Sequence, residues 1–260
     1  MADYVLIRKS RNVITSILHV ILNILLGVGS VAITIITGSW IIGIILVALS
    51  KWRIFAVRPR YWLVNIKSNL VDLIVGISFV LIAYCSGTEW LVVDYVLAIC
   101  YTLWLLLLKP RSSDIATEAQ SLVAVFLGTT ASTLLFASSN SILMVISCFF
   151  IAFAATRHVL VQSDDNNFGL ITMCCSLISA EIAWLCNSWL IVYTFGATGI
   201  AIPQITIILT IFAFVFERIY KNAIKNDGKI KFSEIATPAI FGIIAITMIV
   251  IWFSNPIFDV

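Results

Sequence analysis

Four apolar runs of the chain carry polar side chains whose types and spacing could do chemistry. His19 and Asn23 stand one helical turn apart on one face. Asn65, Asn69 and Asp72 are spaced i, i+4 and i+7, and Gly76 continues their stripe. Asp114, Glu118 and Gln120 open a third run. Glu181 lies within a fourth, flanked by Ser179 and Asn187. Ionisable groups at membrane depth are costly and as a rule face a bundle interior or a water-filled cavity. Read for function, Asp72, Glu181, His19, Asn23, Asn69 and Glu118 mark an ion or substrate pathway. Read for structure, such groups hold helices together at about 0.6 kcal/mol per hydrogen bond. The amides Asn23, Asn65, Asn69 and Gln120 suit the structural reading. A carboxylate is an expensive form of glue, so both readings stay open for Asp72 and Glu181.

Depth follows from the helical rise of 1.5 Å per residue. His19 and Asp72 each lie on the order of 10 Å from the boundary where their runs begin, with Glu118 and Gln120 slightly shallower. Packing the first, third and fifth runs together would gather these groups into one hydrogen-bonded cluster. Glu181 belongs deeper, roughly two thirds of the way across, near the depth expected for Asp94 and Gln204.

A different chemistry is written between the second and third runs. Residues 51–64, KWRIFAVRPRYWLV, mix cations and large aromatics without one acidic residue. Trp and Tyr settle at the headgroup level of a bilayer, where basic side chains meet phosphate. Lys51, Arg53, Arg58 and Arg60 are therefore candidate contacts for anionic lipid headgroups. The sharper form of this reading is a specific site for an anionic lipid or a phosphorylated substrate, and the plainer form is an interfacial anchor. The longer stretch KWRIFAVRPRYWLVNIKSNLVDLIVG, Lys51 to Gly76, resembles an uncharacterised family of small polytopic membrane proteins from reduced-genome bacteria. The resemblance implies a membrane protein and supplies neither substrate nor reaction.

The elements that must position these groups follow from composition. Of 260 residues, 61% are hydrophobic and 11% charged, against about 25% charged in soluble domains. A compact soluble fold needs a polar exterior, so the solvent for most of this chain is lipid. The expected fold class is all-α, a polytopic transmembrane helix bundle forming a single integral membrane domain over residues 1–260. A crossing takes about 20 apolar residues. That measure predicts nine spans, at 12–28, 30–50, 65–84, 90–108, 114–136, 140–158, 168–187, 199–219 and 235–254. The stretch 168–220 reads as two helices, with or without an unwound segment between them, and Asn187, Ser188, Gly196, Gly199 and Pro203 favour a break. The start of the chain has the layout of a signal peptide. A second span follows at once, so it reads as an uncleaved first span.

The 16 basic residues then sort to one side. Arg8, Lys9 and Arg11 precede the first span. Lys51, Arg53, Arg58, Arg60 and Lys67 lie between spans two and three, and Lys109 and Arg111 follow span four. Arg157 ends span six, and Arg218, Lys221, Lys225, Lys229 and Lys231 follow span eight. Short cytoplasmic loops are enriched in Lys and Arg. The expected topology has the N-terminus in the cytoplasm and the C-terminus outside, in a bacterial cytoplasmic membrane. The net charge of +3 follows from this placement, and no nucleic-acid partner is expected.

Several chemistries drop out. The six cysteines make no CxxC and no Cys/His spacing for zinc. Cys85 and Cys186 would both lie near the outer face, where a disulfide is conceivable. All lysines sit at or beyond the cytoplasmic boundary, so none is placed to carry a retinal Schiff base; no span has the arginine repeat of a voltage sensor, and Walker A and HExxH are absent. His19 and Ser78 differ in depth by roughly 8 Å, too far for a serine protease pair. Asp72 and Asp94 lack the motifs of aspartyl intramembrane proteases. No catalytic residue, metal ligand or cofactor is assigned. The leading expectation is a small secondary transporter or channel-like protein. Next comes a non-catalytic membrane subunit or scaffold, bound to other membrane proteins or to itself. Last is a membrane-embedded enzyme acting on a lipid-linked substrate. The lipid bilayer is a partner in all three.

Overall fold

The computed structural model describes residues 2–87, 91–162, 167–194, 200–226 and 228–252, with side chains described from Thr15 onward except that of Leu91. These residues form ten α-helices and one two-stranded sheet. Helix α1 (Ala2–Thr37) is followed by the short α2 (Trp40–Ser50), two 3-10 turns at Trp52–Ile54 and Pro59–Tyr61, and α3 (Trp62–Ser68). Next come α4 (Leu70–Ser86) and α5 (Leu91–Leu103), which runs on as a π-helical turn over Trp104–Leu108. The rest are α6 (Asp114–Phe136), α7 (Ser141–Leu160), α8 (Phe168–Asn187), strands β1 (Val192–Thr194) and β2 (Ala201–Pro203), α9 (Gln204–Lys225) and α10 (Phe232–Ile251).

Helix starts follow local chemistry. Ser113 Oγ accepts the Ala116 amide at the start of α6, and Asn140 Oδ1 accepts the Leu143 amide at the start of α7, each satisfying one of a helix's orphan donors. The break expected at 27–30 is absent. Thr34 donates to the Ser30 carbonyl at 2.7 Å, so its hydroxyl is satisfied inside the helix, and Gly27 lets α5 pack against α1 at Thr102. The turn comes instead at Gly38, whose φ of +60° is a left-handed conformation that favours glycine. The expected straight span 65–84 is likewise broken at Asn69, where residues 59–68 and 70–86 meet at 62°. In the ill-defined stretch 168–220 the break is the antiparallel β1–β2 pair, and Pro203 ends β2 and caps α9. Gly196 and Gly199 lie outside the described residues.

Among the described residues five helices are long and apolar enough to cross a membrane: Thr15–Thr37 of α1, α6, α7, α8 and α10. The bent pair around Asn69 makes a sixth if it counts as one span. All of this fits an integral membrane protein. The expectation of nine comparable spans is not reproduced. With 11 residues, α2 extends only about 16 Å. The Val92–Leu108 stretch is also short, and α9 carries Glu217, Arg218, Lys221 and Lys225 in its C-terminal half.

Helix α6 is the axis of the bundle and packs against α4, α7 and α9. On one side lies a core of Val47, Val75, Phe79, Val80, Tyr101 and Leu105 from α2, α4 and α5. On the other, Met144, Cys148, Ala183, Ile205 and Leu209 join α7, α8 and α9. Hydroxyls add interhelical bonds, with Thr129 and Thr130 of α6 reaching Thr206 of α9 at 3.3 and 3.2 Å.

Candidate functional site

The early end of α2 shapes the site. The chain leaves helical geometry at Lys51, and α3 swings away from the α4 axis. Between α1 and the start of α4 this leaves a cavity of about 710 Å³. Its polar lining is His19 and Asn23 of α1, Ser50, Lys51 and Arg53 at the end of α2, Asn65 and Asn69 around α3, and Lys109 after α5. Among the described residues no Asp or Glu contributes to that lining.

Asp72 stands behind this wall. Its Oδ2 pairs with Lys51 and, at 3.0 Å, with Lys109, while its Oδ1 accepts the Trp104 indole N–H at 3.1 Å. The Lys51 side chain is 8% exposed and that of Asp72 12%. Lys51 and Lys109 each follow the last residue of a helix. Burial, and then the neighbouring Lys109, push the Lys51 amine down to about 6. Burial lowers Lys109 as well. When both amines are protonated, the one carboxylate they share leaves positive charge uncompensated.

The expected cluster of His19, Asp72, Glu118 and Gln120 divides into three. His19, Asn23 and Asn69 line the cavity. Glu118 is paired with Lys221 and, at 3.2 Å, with Arg218 of α9. Gln120 donates to the carbonyls of Leu108 and Arg111 at 2.6 and 2.9 Å and meets His158 at 2.8 Å. Together with the Asp72 pairs, these bonds from Glu118 and Gln120 of α6 draw the basic ends of α2, α5, α7 and α9 into one end of the bundle. Of the four cations expected at lipid headgroups, Lys51 is buried, Arg53 lines the cavity, and Arg58 and Arg60 are exposed and outside its lining. Arg60 lies over the Tyr61 ring, 4.6 Å from its centroid. Glu181 is on the exposed face of α8, in neither recess of the first half.

A second recess of about 590 Å³ opens at the other end of the same helices. It is lined by Thr34 of α1 and Gly38 after it, Ala83 and Cys85 of α4 and Gly87 after it, and Leu134 of α6, among others. Leu26 in the first recess and Thr34 in the second are separated by about 12 Å along α1. A packed septum divides them. Val47, Val75, Val80 and Tyr101 there are fully buried, and two glycines allow the approach of α2 to α4. A methyl on Gly76 would meet Tyr101 Oη at 2.7 Å and Val47 at 2.8 Å, and one on Gly43 would meet Val80 at 2.6 Å.

No family model matches the chain, and neither a curated protein nor a solved structure does. The site is therefore read from its geometry alone. Among the described residues no three His, Cys, Asp or Glu side chains converge as metal ligands, and all six cysteines are free. Cys85 lines the second recess, whereas Cys186 belongs to the core of α7, α8 and α9, so the conceivable Cys85–Cys186 bridge is not formed.

Two functional groups escaped the sequence reading. Lys109 looks in sequence like an ordinary loop cation, because it follows the apolar run 90–108 at the boundary while Asp72 is expected deeper. Glu217 is 4% exposed and accepts a hydrogen bond from Ser121 at 2.7 Å. Its neighbour Arg218 and the cations beyond made it look like the edge of a loop.

Proposed function

We propose that this chain is a small secondary transporter of a bacterial cytoplasmic membrane, with nine passes, its N-terminus in the cytoplasm and its C-terminus outside. One observation carries the reading. Two recesses, one bounded by α1, α2 and the turn after α5 and the other by α1, α4 and α6, enter from opposite ends and stop at packed side chains of α2, α4 and α5. Alternating access needs such a plan, a central barrier with a vestibule on either side. The inner vestibule holds polar side chains and the Lys51–Asp72–Lys109 group, where irregular backbone lines a cavity as it must at membrane depth. The basic ends of the helices, gathered by Asp72, Glu118 and Gln120, support a cytoplasmic inner end through the positive-inside rule. In the nine-pass count, α2, α5 and α9 are passes shorter or more polar than the rest, and the α3–α4 pair is one broken pass. The resemblance of Lys51 to Gly76 to small membrane proteins of reduced-genome bacteria agrees with this setting.

The test is flux through purified full-length protein in liposomes loaded with a labelled pool of small cytosolic solutes. Asn23 is partly buried at the cavity wall, so Asn23→Trp fills the vestibule without entering the core. Selective solute loss from wild-type vesicles that Asn23→Trp abolishes is the expected result. No selective flux, or flux indifferent to the substitution, overturns the reading.

One observation favours the subunit reading as a second possibility. Glu181 is exposed on α8 beside the exposed Leu177, Ile178, Trp184 and Leu185. A carboxylate facing acyl chains is costly, and a partner helix would cover it. Gentle extraction from the native membrane followed by mass spectrometry separates the two. A stoichiometric partner lost on Glu181→Gln would favour the subunit.

A further inference from the structure

The cavity at the basic end has a charge imbalance that the fold does not resolve. Lys51, Lys109 and Arg53 stand at its wall, and Asp72 behind them is the carboxylate that engages two of the three. Three cations against one anion leave a formal excess of two positive charges when all are ionised. Both Asp72 oxygens are already engaged, by Lys51 and Lys109 on one and the Trp104 indole on the other. The positive-inside rule explains which end these cations occupy, but not the burial of Lys51. Arg58, Arg60 and Lys67 satisfy the same rule while exposed to solvent, whereas Lys51 is 7% exposed. Gathering charge in a buried place is costly without a counter-ion, and that cost shows in the Lys51 amine, which burial and Lys109 push down to about 6. An anion alongside would offset it.

We infer that this cavity binds a doubly charged tetrahedral oxyanion of the phosphate type, free or carried on an ester, held by Lys51, Lys109 and Arg53. A dianion matches the excess charge. A tetrahedral group presents acceptors in several directions, and donors approach from several elements: Asn23 of α1, Asn65 of α3, and the cations themselves. Arg supplies a planar fork suited to two oxygens, and the ammonium groups act as point charges. The volume of about 710 Å³ exceeds what the oxyanion alone needs, so an organic remainder fits beside Leu22, Leu26, Leu46 and Leu49. This rests on the inner cavity being the substrate vestibule of a transporter, and it names the substrate class.

The test uses full-length protein in phosphatidylcholine nanodiscs, titrated with sulfate as the dianion probe and followed by thermal unfolding. Ligand binding to the folded state raises the midpoint by mass action. Arg53 is exposed at the cavity wall, so Arg53→Gln tests the site without disturbing the core, and Arg58→Gln is the control outside it. The expected result is a sulfate-dependent rise in midpoint, weakened about tenfold or more in apparent affinity by Arg53→Gln, as for loss of a charged hydrogen bond, and unchanged by Arg58→Gln. A second arm adds phosphatidylglycerol to the discs and reads retained lipid by native mass spectrometry. Lipid kept by wild type and lost by Arg53→Gln, without sulfate binding, assigns the same oxyanion chemistry to a lipid headgroup. Binding of neither probe, or binding equally sensitive to Arg53→Gln and Arg58→Gln, overturns the proposal. Flux in liposomes is read separately: binding without flux keeps the anion site and removes the transporter, and flux without binding does the reverse.

Discussion

Asp72 is where the residue scale decides most. Taken alone, a carboxylate in an apolar run suggests a pathway residue, yet the fold gives it two ammonium partners and an indole N–H. Removing one member of a buried ion pair leaves the other charged and unpaired, at a cost of about 3–5 kcal/mol. Asp72→Asn is therefore expected to lower the thermal midpoint of the protein in nanodiscs markedly. Asp72→Asn combined with Lys51→Met should recover a substantial part of that loss, because the double variant removes a stranded charge as well as its partner. The midpoints of wild type, both single variants and the double variant form the cycle that measures the coupling. Additive losses would mean that Lys51 and Asp72 do not depend on each other. The pairing was out of reach of the sequence for a plain reason. Lys51 and Lys109 lie 21 and 37 positions from Asp72, and only the packing of α2 and α5 against α4 brings them together. The sequence showed that Asp72 was expensive, but not what balances it.

At the scale of elements, apolar runs and their breaks were legible where the turn chemistry is local. Ser113 and Asn140 cap α6 and α7 where polar clusters interrupt the hydropathy pattern. Legibility failed where a polar residue is satisfied within a helix. Ser30 and Thr34 bond back to carbonyls one turn earlier, so α1 continues past the expected break and its turn moves to Gly38. The stripe from Asn65 to Gly76 also meant more than its periodicity implied. Gly76 is a contact point between α4, Val47 of α2 and Tyr101 of α5. The close approach of a methyl to two fully buried side chains forces overpacking, which costs about 1–3 kcal/mol. Gly76→Ala is thus expected to lower the thermal midpoint and to loosen the septum, while Gly29→Ala, where nothing lies within 4 Å, should do neither. Leak of a small solute from liposomes carrying each variant reads the septum directly. Equal leak from both would mean that the contact at Gly76 does not seal the bundle.

For the whole molecule, the question is whether nine apolar helices make nine crossings when five or six have the full length. The short α2 is the critical case, since one missed crossing reverses every later loop. Its about 16 Å is half the hydrocarbon core. Yet α2 need not reach the boundary as a helix. Lys51 lines the same cavity as His19 and Asn23, and the two 3-10 turns and α3 carry the chain onward. Irregular backbone is tolerated at depth where it lines a cavity, so under the nine-pass proposal the cavity is what would permit so short a pass. A reporter fused near Arg111 should therefore report the same side as one at the N-terminus, and a reporter at the C-terminus the opposite side. Cys85 gives an independent reading without fusion, because it lines the recess at the end opposite the cations. An impermeant thiol reagent should label it from the side of the C-terminal reporter, while the buried Cys148 and Cys175 stay unreacted. Labelling of Cys85 from the N-terminal side would mean that α1 and α2 together do not return the chain. The two recesses could then not open to opposite sides of the membrane as the transporter reading requires.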